Sequence, residues 1–204
     1  MNINLVAFTD SKTIEELSLK FKDEIVIVAS DFSEIDLKEF NSKKRKSKVK
    51  LYSAKLFTKK DNNAFQKFSK LADFIVIKGG SIEMNSWALT KKNCILLQPF
   101  SSDRNSVDLA SANVCKQNNI IPCIDFSEFL NAHGFRQTQL MKNAMLGLKL
   151  FAKAETPLLF VSGAGKKSEM RSSADLISFS ETLGLKREKA VKLSNEASKN
   201  IIGG

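Results

Sequence analysis

Between an apolar run and an amphipathic pattern the chain reads LLFVSGAGKKSEMRSSADLISF, Leu158 to Phe179. Glycines and lysines after a strand are the ingredients of a phosphate loop. There, backbone amides face the phosphates, a lysine reaches the terminal groups and a hydroxyl holds magnesium. The spacing argues against that use. In the pattern GxxxxGK[ST], Gly165 and Lys166 match, but Phe160 stands at the first glycine and Lys167 at the hydroxyl. The helix signal begins only near Ser172, so the lysines are not at a helix amino terminus. What remains is a turn loosened by Gly163, Ala164 and Gly165 that presents Lys166, Lys167 and Arg171 within six positions. Such a turn suits gripping a phosphate backbone.

More cations precede it. Lys142, Lys149 and Lys153 are seven and four residues apart, which keeps them on one helical face. A lysine-rich solvated face is an equally good reading of these three. Arg136 heads the same helical pattern, and its planar fork suits bidentate phosphate contact. A rival chemistry is metal-dependent phosphoester hydrolysis through Asp10, Asp31 and Asp125, each of which follows an apolar run. Carboxylates at those places also serve as helix caps. The only histidine, His133 in NAHGFRQ, reads as a loop residue, which leaves that scheme without an evident general base. Cys94, Cys115 and Cys123 form no CxxC, sit in apolar settings and read as core thiols.

The elements that must position these groups follow from hydrophobic periodicity. Strands are predicted at Ile3–Phe8, Glu24–Ala29, Val49–Phe57, Asp73–Gly80, Cys94–Gln98, Ile120–Phe126 and Leu158–Val161. Helical patterns lie between them: one from Ser11, then Ser33–Phe40, Ala64–Ala72, Ser81–Leu89, Asp103–Gln117 and Phe135–Ala154. Two more follow the last strand. The first of these is opened by Ser172 with Asp175 three residues on, the second runs through KREKAVKLSNEASKNII, and Gly184 separates them. Seven mostly continuous apolar strands alternating with helices predict a parallel sheet covered on both faces. Periodicity leaves a doubly wound sheet and a TIM-type barrel both open.

Composition bounds the partners. A chain of 204 residues with 43% hydrophobic and 26% charged content is expected to form one globular domain, residues 1–204. Its apolar runs are too short to span a membrane, and MNINLVAFTD lacks a signal-peptide layout, so a soluble, cytoplasmic protein is expected. The net charge of +10 is segregated. Residues 41–70 carry 11 basic and 1 acidic side chains and residues 136–204 carry 12 and 6, against 4 and 9 in residues 1–40. Concentrated positive charge is what a polyanion requires, since each cation near a phosphate releases a counterion. The densest run, Lys43–Lys50, reads equally as a solvated excursion and as an RNA contact.

The stretch PLLFVSGAGKKSEMRSSADLISFSETLGLKREKAVKLSNEASKNII resembles the closing segment of RNase P protein component 3, the archaeal counterpart of a nuclear RNase P subunit. The residues carrying the likeness are Ser162, Gly163 and Ala164 in the small-residue turn, then Arg171, Asp175 and the Leu183-Gly184-Leu185 turn. Upstream, IIPCIDFSEFLNAHGFRQTQLMKNAMLGLKLF is similar to the family's strand and arginine-led helix, with Arg136 at the arginine. The stretch SSDRNSVD, which holds Arg104, departs by lacking the family's glycine and histidine. The resemblance implies a TIM-barrel-like fold related to the PHP phosphoesterases but without their metal ligands. It implies a noncatalytic subunit of the ribonucleoprotein that removes 5′ leaders from precursor tRNA. No cofactor would be bound by the protein, and the Mg2+ of the holoenzyme would be used by its RNA. The implied partners are RNase P RNA, precursor tRNA and RNase P protein component 2, in a heterodimer or heterotetramer. The RNA-binding residues are then Arg171, Lys166, Lys167 and Arg136, with Arg104 and Lys142 as further candidates.

Overall fold

In the computed structural model, which describes residues 2–44 and 47–203, strands and helices alternate along the chain. The strands are β1 (Ile3–Val6), β2 (Ile25–Ser30), β3 (Lys50–Phe57), β4 (Phe74–Lys78), β5 (Ile95–Leu97), β6 (Ile121–Asp125) and β7 (Leu159–Val161). They form one sheet in the order of the sequence, every neighbour parallel. Beyond β7 a parallel bridge joins Ala164 to Val6. Gly163 N–H donates to the Leu5 carbonyl at 2.9 Å, and Ala7 N–H to the Ala164 carbonyl at 2.8 Å. These contacts bring the sheet round to its own first strand, so the fold is a seven-stranded barrel that is nearly closed. The question periodicity left open is settled in favour of the TIM-barrel-like form.

The continuous apolar strands are explained by two separate cores. Ile3 and Leu5, Ile25 and Ile27, Ala54, Val76, Ile95 and Leu97, Ile121 and Cys123, and Leu159 and Val161 pack together inside the barrel. The alternate positions, among them Val6, Val26, Val28, Leu51, Ile75, Ile77 and Phe160, pack outward against the helices. The last helix contributes Ala197 and Ile201 to the inner cluster. It thereby covers the end of the barrel where the strands begin, and the end where they finish is left for the connecting loops.

Nine α-helices lie among the described residues: α1 (Ser11–Phe21), α2 (Glu34–Lys44), α3 (Asn62–Phe68), α4 (Ile82–Leu89), α5 (Leu109–Gln117), α6 (Phe126–Leu130), α7 (Gly134–Ala154), α8 (Ser173–Thr182) and α9 (Arg187–Ile202). Three points correct the sequence reading. The helix predicted from Asp103 starts only at Leu109, because Asp108 caps it in a capping box with Ser111. The preceding loop is tied elsewhere, through Asn85 Nδ2 to the Pro99 carbonyl (2.8 Å) and to Ser106 Oγ (3.0 Å). Next, α2 runs on into the basic run as far as Lys44, whose ammonium pairs with Asp73. That part of the run is helix and not an excursion, while Arg45 and Lys46 in its middle lie outside the described residues. Finally, α6 was not expected.

Candidate nucleic-acid interface

The loop after β7 is fixed to the frame by a buried asparagine. Asn4, wholly buried on β1, accepts through Oδ1 from the N–H groups of Leu5 and Ser162, both at 2.9 Å. Its Nδ2 donates to the Arg171 carbonyl at 3.0 Å and to the Asp23 carboxylate at 3.2 Å. Arg171 N–H in turn donates to Ser162 Oγ at 2.8 Å. Departure and return of the loop are thus tied to one another. Within it, Glu169 is buried and accepts the Gly165 N–H at 2.9 Å. The Ser172–Asp175 capping box predicted from the sequence opens α8.

Gly163 is required where it stands. It has a left-handed φ of +57°, and a Cβ there would lie 1.7 Å from Asp125 Oδ1. This small residue lets β6 and the closing turn approach each other at the mouth of the barrel.

Arg171 points its guanidinium across the face of Phe126, 5.4 Å from the ring centre, and donates to the carbonyls of Ser168 (2.9 Å) and Met170 (3.0 Å). It pairs with no carboxylate among the described residues, so its charge is oriented yet uncompensated. Phe126 is itself held edge-on by Phe179, with ring centres 4.9 Å apart. Lys166 and Lys167 are exposed on the same loop, and Lys166 stands 3.6 Å from Glu169.

Arg104 and Arg136 come together in a cleft of about 670 Å³ at the finishing ends of β4 and β5, which Lys78, Gln98 and Glu128 also line. The cleft's walls are braced. Asn143 of α7 donates to the Ser101 carbonyl at 2.8 Å, and Gln137 to the Phe129 carbonyl at 3.1 Å. Phe100 packs so tightly on α7 that a Cβ on Gly147 would lie 2.1 Å from its ring. Helix α6 joins the two basic groups, since Phe126 lies under Arg171 and Glu128, two residues on, borders the cleft.

The other predicted cations stand apart. Six positions along α7 place Lys142 about 120° around the helix from Arg136, and it does not line the cleft. Lys149 and Lys153 are exposed on the Lys142 face, and Lys149 shares a groove with Lys186 and Lys189. Sequence reading missed Lys78, Gln98 and Phe135. Phe135 precedes Arg136 and is 79% exposed, an uncommon place for a large aromatic ring. Its neighbour Arg136 was the signal that could have drawn attention to it.

The three aspartates proposed for hydrolysis have separate duties. Asp10 is exposed and accepts from Thr13 Oγ1. Asp31 pairs with Lys55, whose ammonium also donates to the Phe32 carbonyl. Asp125 is buried and caps α6 through Ser127 N–H (2.9 Å) and Oγ (2.7 Å), and burial pushes its carboxyl up to about 6. No three His, Cys, Asp or Glu side chains among the described residues cluster as metal ligands would. His133 is an exposed N-cap position of α7 that makes no side-chain capping bond. All three cysteines are buried and free. Burial pushes Cys94 and Cys115 up to about 12 and Cys123 higher still, so they act as core thiols. No helix among the described residues is long and apolar enough to cross a membrane.

Comparison with known proteins places these features in a context. The family described as RNase P subunit p30 matches residues 10–203. The ribonuclease P protein component 3 of Methanosarcina mazei is 26% identical over 137 residues, 67% of this chain and 57% of that protein. The corresponding protein of Methanococcus maripaludis strain C7 is 24% identical over 170 residues, 80% of this chain and 68% of that protein. The chain therefore spans less than two thirds of the Methanosarcina relative. Among solved structures, a chain of the cryo-EM structure of archaeal ribonuclease P with mature tRNA superposes with a TM-score of 0.85 at 20% identity. That superposition covers 99% of this chain and 90% of the other, and shows a shared fold.

Proposed function

Because the chain belongs to the RNase P subunit p30 family, we propose that it is a noncatalytic, RNA-binding subunit of ribonuclease P, the endonuclease that removes 5′ leaders from precursor tRNA. The observation that carries this reading is the loop after β7. There Asn4, Ser162 and Gly163 fix the backbone so that Arg171 projects an oriented charge with no carboxylate partner among the described residues, beside the exposed Lys166 and Lys167. A rigidly mounted arginine loses little freedom on meeting a phosphate, and its fork can take two phosphate oxygens at once. Arg136 and Arg104 in the cleft extend the positive surface across the same end of the barrel, and Lys142 supplies a more distant contact.

The chemistry assigned to the protein is neutralisation. Phosphodiester hydrolysis belongs to the RNA and its Mg2+, and the protein lowers the repulsion that opposes RNA folding and substrate docking. RNase P RNA and precursor tRNA are the nucleic-acid partners in this reading. RNase P protein component 2 is the protein partner, as heterodimer or heterotetramer, and the cytoplasm is the place of action. The separate engagement of Asp10, Asp31 and Asp125 favours this reading over a stand-alone phosphoesterase.

The test is binding to RNase P RNA as a function of salt, with component 2 present, beside an unrelated folded RNA of equal length. Selective binding whose log affinity falls by about 0.7 to 0.9 per phosphate contact for each decade of salt is expected. Equal, weak binding to both RNAs would overturn the reading.

A further inference from the structure

The cleft bordered by Arg104 and Arg136 carries a feature that a general basic surface does not need. Gln98, 3% exposed, donates its backbone N–H to the Cys123 carbonyl at 2.7 Å, and its Oε1 accepts the Asp125 N–H at 3.0 Å. The second bond fixes which side of its amide is the nitrogen. That nitrogen, Nε2, is buried and has no hydrogen-bond partner among the described residues. Gln98 also has a left-handed φ of +50°, a conformation that a residue with a side chain seldom adopts. A strained backbone and an unmade buried hydrogen bond each oppose stability, and both concentrate where a ligand completes the site.

The surroundings define what would complete it. Nε2 donates only, so the missing partner is an acceptor. Lys78, facing into the barrel mouth from β4, brings a cation to the same cleft, and Arg104 and Arg136 bring two more. Asp103 and Glu128 also border the cleft, and Glu128 takes the Lys78 ammonium, so an excess of one positive charge remains. Phe100, Leu140 and Ile82 add apolar lining, of which Ile82 is exposed. At about 670 Å³ the cleft falls within the range of small-molecule sites.

We propose that this cleft is a subsite for a single nucleotide, with the phosphate held by Lys78, Arg104 and Arg136 over Gln98 Nε2 and the nucleoside against the exposed Ile82. The assignment rests on the RNA-binding reading in setting Arg104 and Arg136 against phosphate. It adds Gln98 and Lys78 and a discrete ligand. The nucleotide comes either from an unpaired position of a bound RNA or from solution.

The experiment titrates adenosine 5′-monophosphate, inorganic phosphate and adenosine into the full chain at low salt and follows backbone amide shifts. Adenosine monophosphate is expected to move the amides of Gly79, Gly80 and Gln98, and adenosine is expected to bind at least tenfold more weakly. Gln98→Glu keeps an acceptor for Asp125 N–H but turns the donor into a carboxylate oxygen, and should weaken nucleotide binding by about tenfold or more. The exposed Arg136→Gln provides a second arm that does not disturb the core, and should act in the same direction. Lys153→Gln, an exposed cation on another face of α7, should leave nucleotide binding unchanged.

Saturating nucleotide that weakens RNase P RNA binding identifies the occupant as part of the RNA. Unchanged RNA binding identifies a free nucleotide. Absence of shifts at the cleft with about 10 mM nucleotide or phosphate, or equal binding by wild type, Gln98→Glu and Arg136→Gln, overturns the subsite. If RNA still binds in that case, the RNA reading survives without it. If RNA also fails to bind, both fall together.

Discussion

Replacing Gly163 with alanine should damage the protein far beyond the size of one methyl group. At a φ of +57° an alanine costs about 1–2 kcal/mol relative to its preferred backbone. The new Cβ would stand 1.7 Å from Asp125 Oδ1, so the carboxylate must move. Moving it breaks its buried bonds with Ser127 N–H and Oγ, each worth about 1 kcal/mol. The sum is roughly 3–4 kcal/mol, which for a chain of this length lowers Tm by roughly 10 °C. Gly165→Ala is the matched control, since its Cβ would meet only Glu169 Oε2 at an ordinary 3.5 Å, and it should change stability by no more than about 0.5 kcal/mol. Thermal and urea unfolding of the two variants measures the difference. RNA binding well below the lowered Tm reads the displacement of the loop that carries Lys166, Lys167 and Arg171. Equal stability of the two variants would refute the close approach of β6 to the closing turn, and with it the account of how Arg171 is mounted.

Asp23 provides a test by pH. Burial raises its carboxyl from 3.8 to about 6, against the opposing hydrogen bonds of Asn4 and Ser173. The folded state therefore holds this proton more tightly than the unfolded chain, and stability falls as pH rises between those two values. Asp23→Asn stays neutral and keeps an acceptor for Asn4, so it should flatten that slope and add about 1–2 kcal/mol at pH 7. Urea midpoints at pH 4.5 and 7 check this, and an unaltered slope in the variant would contradict it. Phe135→Ala tests the exposed ring beside Arg136. It should weaken RNA binding by about 1 kcal/mol or more if the ring stacks on an unpaired base, with Tm unchanged because the ring is 79% exposed. Unchanged affinity would remove Phe135 from the interface.

All seven strands were legible because parallel strands buried on both faces read as continuous apolar runs, down to the three residues of β5. Most helices were legible from their stripes and caps, Ser172 with Asp175 being the clearest. Helix α6 was not, since five residues complete less than two turns and show no period. Closure of the barrel depends on Leu5 and Gly163, which are far apart in sequence, and no local pattern encodes that pairing. The resemblance to a known family supplied it instead.

The interface divides in the same way. Arg171, Lys166 and Lys167 were legible as a dense local cluster beside glycines. Arg104 and Arg136 were named singly, and only the fold shows that they share a cleft. Lys78 was hidden inside an apolar strand, and nothing in the letters around Gln98 reveals its left-handed backbone or its unpartnered amide. Lys142 shows how nearness in sequence can mislead about nearness in space. It lies close to Arg136 in sequence but on another face of the helix, because six residues are not a whole number of turns.

If this chain serves ribonuclease P by placing arginines against RNA, cleavage of precursor tRNA by a reconstituted particle at limiting Mg2+ will depend on them. Adding the wild-type chain with component 2 to the RNA should restore cleavage. Arg171→Gln should lower the rate by about tenfold, the loss of one charge-assisted contact, and raised Mg2+ should largely repair the defect. A particle that cleaves equally well without the chain, or with Arg171→Gln at every Mg2+ concentration, would rule that role out.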